Sequence, residues 1–453
     1  MARRRSSPSA GQDPVLRSRG ETRRRADRGR DRVERRVIYR HQLEAAREAL
    51  GRVLRFDRPA DAVLHEFFRA HRQLGAQDRA FVAESVYGVL RRKRYLEQLL
   101  PEATPRAMLL AYLARVAGTS VRELTPLLRS GEMELLGRVK ALELDDLPLA
   151  VRAELPDWIV ERLRTRMTDE EILALGRALR EPAPLDLRVN TVRARREEVL
   201  SALASSGIEA RPTPYSPIGV RLKDKIAINR HPLFLNGAIE VQDEGSQLLG
   251  YVVAPRRGEL VVDFCAGAGG KSLMLGALMH SHGRVYAFDV SVRRLAQFKP
   301  RLKRSGLSNL HPAVIANEND ARVKRLAGRI DRVLVDAPCS GLGTLRRNPD
   351  LKWRQSPASL EELTRKQAAI LQGAARLVKP GGRLVYATCS LLTEENEAIV
   401  DAFLTANPGF SLLDCAQILK AQRVDLDTGR YLSLLPHVHG TDGFFAAALE
   451  RVA

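Results

Sequence analysis

A chain of 453 residues with 44% hydrophobic and 28% charged side chains is ordinary globular material, too long for one core, so two or three domains are expected. No apolar run reaches the ~18 residues of a membrane span, and the arginine-rich start has no apolar segment behind it, which argues against a membrane or secreted protein. The 74 Lys+Arg against 54 Asp+Glu give a formal charge of +20, which favours a polyanionic partner, nucleic acid first.

Residues 1–36 hold thirteen arginines against five carboxylates and almost no large apolar side chains. Such a segment cannot bury enough surface to offset its ordering entropy, so a disordered basic arm is expected, either gripping phosphates or only solvating the chain. From residue 37 to about 150 the pattern is helical. Apolar positions over 60–69 recur at helix spacing, with Asp61 as the expected N-cap, and over 77–91 Phe81, Val82, Ser85, Val86 and Val89 share one face. No strand signal interrupts this block, so an all-helical domain is expected. Its stretch from Asp78 to Arg94 resembles the NusB-type helical RNA-binding domain.

Between residues 151 and 241 the texture changes. Helices over 157–166 and 169–180 are stopped by Pro182 and Pro184. A strand-like run over 185–190, a helix over 195–205 and short strands near 220–222 and 238–241 suggest a small α+β linker module. From 242 to 453 apolar strands alternate with amphipathic helices. The strands are expected at 260–264, 284–288, 313–316, 332–335 and 383–387, with a late, antiparallel one at 443–449. The helices are expected near 272–279, 292–305, 359–378 and 394–406. This alternation predicts an α/β fold, a Rossmann-like doubly wound sheet with helices on both faces.

The first of these strands runs into Asp263-Phe-Cys-Ala-Gly-Ala-Gly-Gly-Lys271. Gly267, Gly269 and Gly270 allow close backbone approach to a ligand at the strand-to-helix turn. Alone, the turn suits a dinucleotide or merely a tight connection, and the GxxxxGK[ST] spacing of a P-loop is absent. The second strand ends in Asp289, a carboxylate suited to a ribose diol. Together these point to a nucleoside-bearing cofactor at the switch point of the sheet. Asp320, after the third strand, offers a further contact, for instance to an adenine amino group, and would serve equally as a loop acid or helix cap.

Four cysteines make no disulfide framework, and none is paired as CxxC, so a zinc ribbon is excluded, no metal is expected, and free thiols suit a reducing cytoplasm. Cys415 reads as a buried structural thiol. Cys339, in Asp336-Ala-Pro-Cys-Ser-Gly341, and Cys389, in Thr388-Cys-Ser390, each follow an apolar strand and are expected to face one pocket. A thiolate is a strong nucleophile. Carbon 5 of a pyrimidine is a poor one until something adds to carbon 6. A thiolate can add there, creating a carbanion that attacks an electrophilic methyl group. Carbon 5 must then lose its proton and the thiol must leave. Asp336 is placed to hydrogen-bond the ring, and the base must be splayed out of its stack. The residues alone do not decide which cysteine attacks.

These motifs, with Arg346-Arg-Asn-Pro-Asp350, Pro380-Gly-Gly382, Glu394 to Glu397 and Asp442-Gly-Phe-Phe445, resemble the RsmB-like (Sun-type) RNA 5-methylcytosine methyltransferases over the whole chain after the basic arm. The resemblance implies S-adenosylmethionine against Cys265, Ala266, Gly267, Ala268, Gly269, Gly270 and Lys271. Asp289 would meet the ribose, Asp320 would lie near the adenine and Asp336 by the reacting end. It makes Cys389 the nucleophile and Cys339 the residue that assists product release. The substrate it implies is a cytosine in RNA, 16S ribosomal RNA first. One departure stands out: Gly267-Ala268 replaces the family's Ala-Pro, leaving the loop more flexible at a modest expected cost in cofactor affinity. Nothing in the chain demands more than a monomer. Two other readings compete: a DNA cytosine methyltransferase, in which Cys339 would attack and Cys389 would be idle, and a non-catalytic RNA-binding ribosome assembly factor.

Overall fold

The computed structural model describes residues 37–143 and 146–452; the expectation for the basic arm lies outside them. The described residues begin with the helices Arg40–Val53, Ala60–Ala70, Ala76–Arg91, Lys93–Leu99 and Pro105–Ala111, followed after three short helical turns by Glu132–Ala141. In the first helix Leu43, Ala46, Leu50 and Val53 are buried, a repeat of three and four residues that turns one face inward. In the third, Val82, Ser85, Val86 and Val89 are buried as the spacing predicts, with Phe81 packed at the edge. Gly88 lets this helix approach its neighbour, since a Cβ there would stand 2.1 Å from the Tyr112 ring. Asp61 does not cap its helix. Pro59 takes the cap position, and Asp61 lies in the first turn. The free amide of Ala60 donates instead to Asp350 Oδ2 at 3.1 Å, 290 residues away.

Helices Leu149–Ala153, Asp157–Leu163 and Asp169–Arg180 pack their apolar sides on Leu342, Leu345, Leu360 and Leu391 of the C-terminal region. A small antiparallel sheet follows, of β1 (Leu185–Val189), β2 (Ala210–Pro212), β3 (Gly219–Leu222) and β4 (Ile239–Val241), in the order β2-β3-β1-β4. The edge strand β2 carries no apolar alternation, which is why the sequence pattern does not disclose it.

The large sheet contains β5 (Leu260–Asp263), β6 (Arg284–Asp289), β7 (Leu310–Val314), β8 (Ile330–Asp336), β9 (Val378–Thr388), β10 (Phe410–Leu413), β11 (Leu432–Leu434) and β12 (Phe444–Arg451). Its order is β10-β12-β9-β8-β5-β6-β7, with β11 also paired to β12. Strands β5 to β9 run parallel, and β12 lies antiparallel to β9. Consecutive Val261 and Val262 are both fully buried, on opposite faces of the sheet, as a parallel sheet covered on both sides requires. The third parallel strand is 310–314 rather than 313–316, because Pro312 is tolerated inside it: β7 is the edge of the sheet, where a missing N–H costs no ladder bond. Among the described residues no helix is long and apolar enough to cross a membrane.

Candidate active site

The order of the strands reverses between β5 and β8, and a crevice opens beyond their carboxyl ends. It holds a cavity of about 720 Å³, within the usual range for a ligand pocket. Cys265, Ala266, Gly267, Ala268, Gly270, Lys271, Asp289, Asp336, Cys339 and Cys389 all line it. Two expected residues do not. Gly269 lies behind the wall, at the start of the helix Gly270–Leu278 with φ +81°, and a Cβ there would sit 2.1 Å from the Phe298 ring. Asp320 caps the short helix Ala321–Lys324: its oxygens accept from the amides of Ala316 (2.9 Å) and Arg322 (2.8 Å). The lining on that side is Ile315 to Glu318 instead.

The glycine loop is held from several sides. Gly267 donates its amide to Asp289 Oδ2 at 2.8 Å, while Asp289 Oδ1 accepts from Ser291 N–H at 2.7 Å and from Arg294 at 3.1 Å. One lone pair on Oδ2 stays open for a hydroxyl group. Arg301 donates to the carbonyl of Ala268 at 2.8 Å, and Arg188, from β1, donates to that of Gly270 at 2.6 Å. These two guanidinium groups restrain a turn that has no proline of its own.

At the other wall Lys271 Nζ meets Asp336 Oδ2 at 2.6 Å. Burial disfavours this ammonium, but the attraction of Asp336 outweighs it and holds Lys271 above the usual lysine range. Asp263, at the end of β5, is pushed up to about 7 by burial, with the charge of Asp336 adding and the Ser272 hydroxyl opposing. Its Oδ2 accepts from that hydroxyl at 2.6 Å, while its buried Oδ1 has no partner among the described residues. An orphaned acceptor at the cavity wall suits a donor group on a cofactor. Asp263 is the last residue of an apolar strand, and that position is the sequence signal that marks it.

The two strand-end thiols meet. Cys339 Sγ and Cys389 Sγ are 3.3 Å apart and both are free, although 50 residues separate them. Contact with Cys389, burial and the nearby charge of Glu395 push the Cys339 thiol up, against the Cys389 amide that donates to it at 3.3 Å. Cys265 also lines the cavity, where burial and its three acidic neighbours push its thiol up. Cys415 is fully buried in the core and pushed up to about 11 by burial, as a structural cysteine should be.

Comparison with known proteins identifies the family. Residues 250–450 match the family described as 16S rRNA methyltransferase RsmB/F, and residues 155–229 match the ferredoxin-like domain of RsmF/B-like methyltransferases. The probable ribosomal RNA small subunit methyltransferase B of Synechocystis sp. is 32% identical over 88% of this chain and 96% of its own length. That of Bacillus subtilis is 35% identical over 72% of each chain. The crystal structure of PH0851 superposes with a TM-score of 0.75 at 28% identity, covering 91% of this chain and 99% of that one. The methyl donor of these enzymes is S-adenosylmethionine. The open lone pair of Asp289, the orphaned Asp263 Oδ1 and the backbone exposed at Gly267 fit it. From the cofactor turn to the last strand, the chain belongs to the RsmB/F methyltransferase family.

Proposed function

We propose that this protein transfers a methyl group to carbon 5 of a cytosine in RNA, with small-subunit (16S) ribosomal RNA as the substrate, through a covalent adduct with Cys389. The observation that carries the proposal is the pair of free thiols 3.3 Å apart at the ends of β8 and β9, on the wall of the cofactor cavity. The descriptions of the relatives name small-subunit ribosomal RNA as what they methylate, and the +20 charge suits a phosphate backbone.

S-adenosylmethionine, when bound, supplies an electrophilic methyl group. Cys389 adds to carbon 6 of the splayed base, which makes carbon 5 nucleophilic. Asp336 holds the ring, and the Lys271 ammonium, 2.6 Å from its Oδ2, offsets negative charge developing at nitrogen 3. Cys339, 3.3 Å from Cys389, takes the proton from carbon 5 in its thiolate form, and the electrons of that bond re-form the carbon 5–carbon 6 double bond and expel Cys389 as a thiolate. This division of labour is the one the family resemblance implies, and the DNA-type assignment would leave Cys389, 3.3 Å from Cys339 on the same wall, without a task. In this reading residues 37–150 form the RNA-binding helical domain, 151–241 the linker module and 242–453 the catalytic domain, and the active unit is a single chain. Asp320 is retained as an adenine contact only if its loop turns inward when the cofactor binds.

The test is transfer of a labelled methyl group from S-adenosylmethionine to 16S ribosomal RNA or to duplex DNA. Label is expected on RNA alone and none with Cys389→Ala. Undiminished transfer by that variant would sink the nucleophile assignment, and label on DNA would sink the substrate.

A further inference from the structure

Glu395 is fully buried beneath the two thiols, yet the reaction outlined above gives it no task. We propose that Glu395 is a positioning residue that clamps the Cys339 loop to the Cys389 loop and so sets the distance between the two sulfurs. Its Oε1 accepts from the Ser340 amide at 2.8 Å and the Gln367 side-chain amide at 2.9 Å. Its Oε2 accepts from the Ser340 hydroxyl at 2.5 Å and from the Ser390 hydroxyl. Ser340 directly follows Cys339 and Ser390 directly follows Cys389, so one carboxylate grips the residue next to each thiol. The two serine hydroxyls lie 3.1 Å apart across it.

The clamp is itself anchored. Tyr386, in β9, donates its hydroxyl to the Glu395 carbonyl at 2.6 Å. Gln367, in the helix Pro357–Ala375, also reaches the carbonyl of Pro338 at 3.0 Å. All four partners of the carboxylate are donors, and an ionised carboxylate is an acceptor only, so the match is complete. Charge-assisted hydrogen bonds of this kind are about twice as strong as neutral ones. Removing the carboxylate would strand four buried donors, and relief would come from the loops drifting apart. A backbone bond from Gly343 N–H to the Cys389 carbonyl, at 2.8 Å, also joins the loops. Among the described residues Glu395 is the charged side chain that hydrogen-bonds both.

What the thiols do rests on the proposed reaction, but their spacing does not, and the test separates the two. The full-length protein is treated with diamide, an azodicarboxamide oxidant. As the S–S bond forms, both S–H bonds break, and two electrons and two protons reduce the azo group to the hydrazine. The wild type should form the Cys339–Cys389 disulfide readily. Glu395→Ala should form it about tenfold more slowly, the rate equivalent of one lost charge-assisted bond, with Glu395→Gln between the two. The Gln side chain keeps the shape and two of the four acceptor contacts. Affinity for S-adenosylmethionine should stay within about twofold, since Glu395 does not line that cavity. Glu395→Ala should also accumulate a denaturation-resistant protein–RNA adduct, as Cys339→Ala should. Unchanged disulfide rates in both variants, or cofactor affinity lost along with the rate, would overturn the positioning role. If Glu395→Ala fails to fold, the Gln variant decides by the same criteria. Slowed disulfide formation with no adduct even in Cys339→Ala would uphold the clamp and refute the cytosine chemistry.

Discussion

Gly269→Ala offers a quantitative test of how the cofactor turn is built. At φ +81° the residue lies in the left-handed region, where a side chain costs about 1–2 kcal/mol. The new Cβ would fall 2.1 to 2.4 Å from three atoms of the Phe298 ring, which is fully buried and cannot swing into solvent. Overpacking of that kind adds about 1–3 kcal/mol, for a total of about 2–5 kcal/mol. Gly267 is the internal control. Its φ of +56° is also left-handed, but a Cβ there meets nothing within 4 Å, so Gly267→Ala should cost about 1–2 kcal/mol and no more. Urea titrations of the two variants, followed by far-ultraviolet circular dichroism, measure the difference. Phe298 belongs to the helix Val292–Ser305, whose Arg301 holds the Ala268 carbonyl. Displacing that helix should therefore weaken cofactor binding about tenfold as well. Equal destabilisation by the two alanines would refute the claim that Gly269 is required by the Phe298 contact.

Asp263 gives a pH dependence. Its folded carboxyl, pushed up to about 7 by burial, retains a proton that the unfolded chain releases near pH 4. The folded state is thus favoured at low pH, and this contribution is lost as pH rises from about 4 through 7. Asp263→Asn should remove that dependence, gaining stability relative to the wild type by at most about 4 kcal/mol between pH 4 and 8, measured by denaturation at each pH. A pH-independent difference would contradict it. Asp350→Ala removes the acceptor that caps the helix Ala60–Ala70 and should cost about 1–2 kcal/mol, with faster amide exchange at Ala60 and unchanged cofactor affinity. Unaltered exchange there would show that the cap does not hold the helix. RNA affinity should fall at least about tenfold between roughly 50 and 200 mM salt, and a flat response would leave the positive charge unexplained.

Much of the site was legible because strand ends carry its chemistry. Asp289, Asp336, Cys339 and Cys389 each follow an apolar run, and a parallel sheet brings such ends to one edge. Other features depend on partners distant in sequence. No local pattern links Asp350 to the amide of Ala60, and Asp61 is a credible cap until Pro59 is seen to occupy the position. Glu395 sits among four polar residues before a helix and reads as its first turn. Only the approach of two loops 50 residues apart turns it into a buried acceptor. Strands β10 and β11 escaped notice because they are short and their pairing with β12 is not visible in their own composition.

The division of labour between the two thiols is the core of the account, and mass spectrometry of a trapped complex tests it most directly. Cys339→Ala, incubated with 16S ribosomal RNA and S-adenosylmethionine and then digested with nuclease and protease, should yield one peptide carrying a methylated cytidine. That peptide should contain Cys389. A nucleotide on any other peptide, or none at all, would contradict the assignment of Cys389 as the residue that attacks the base.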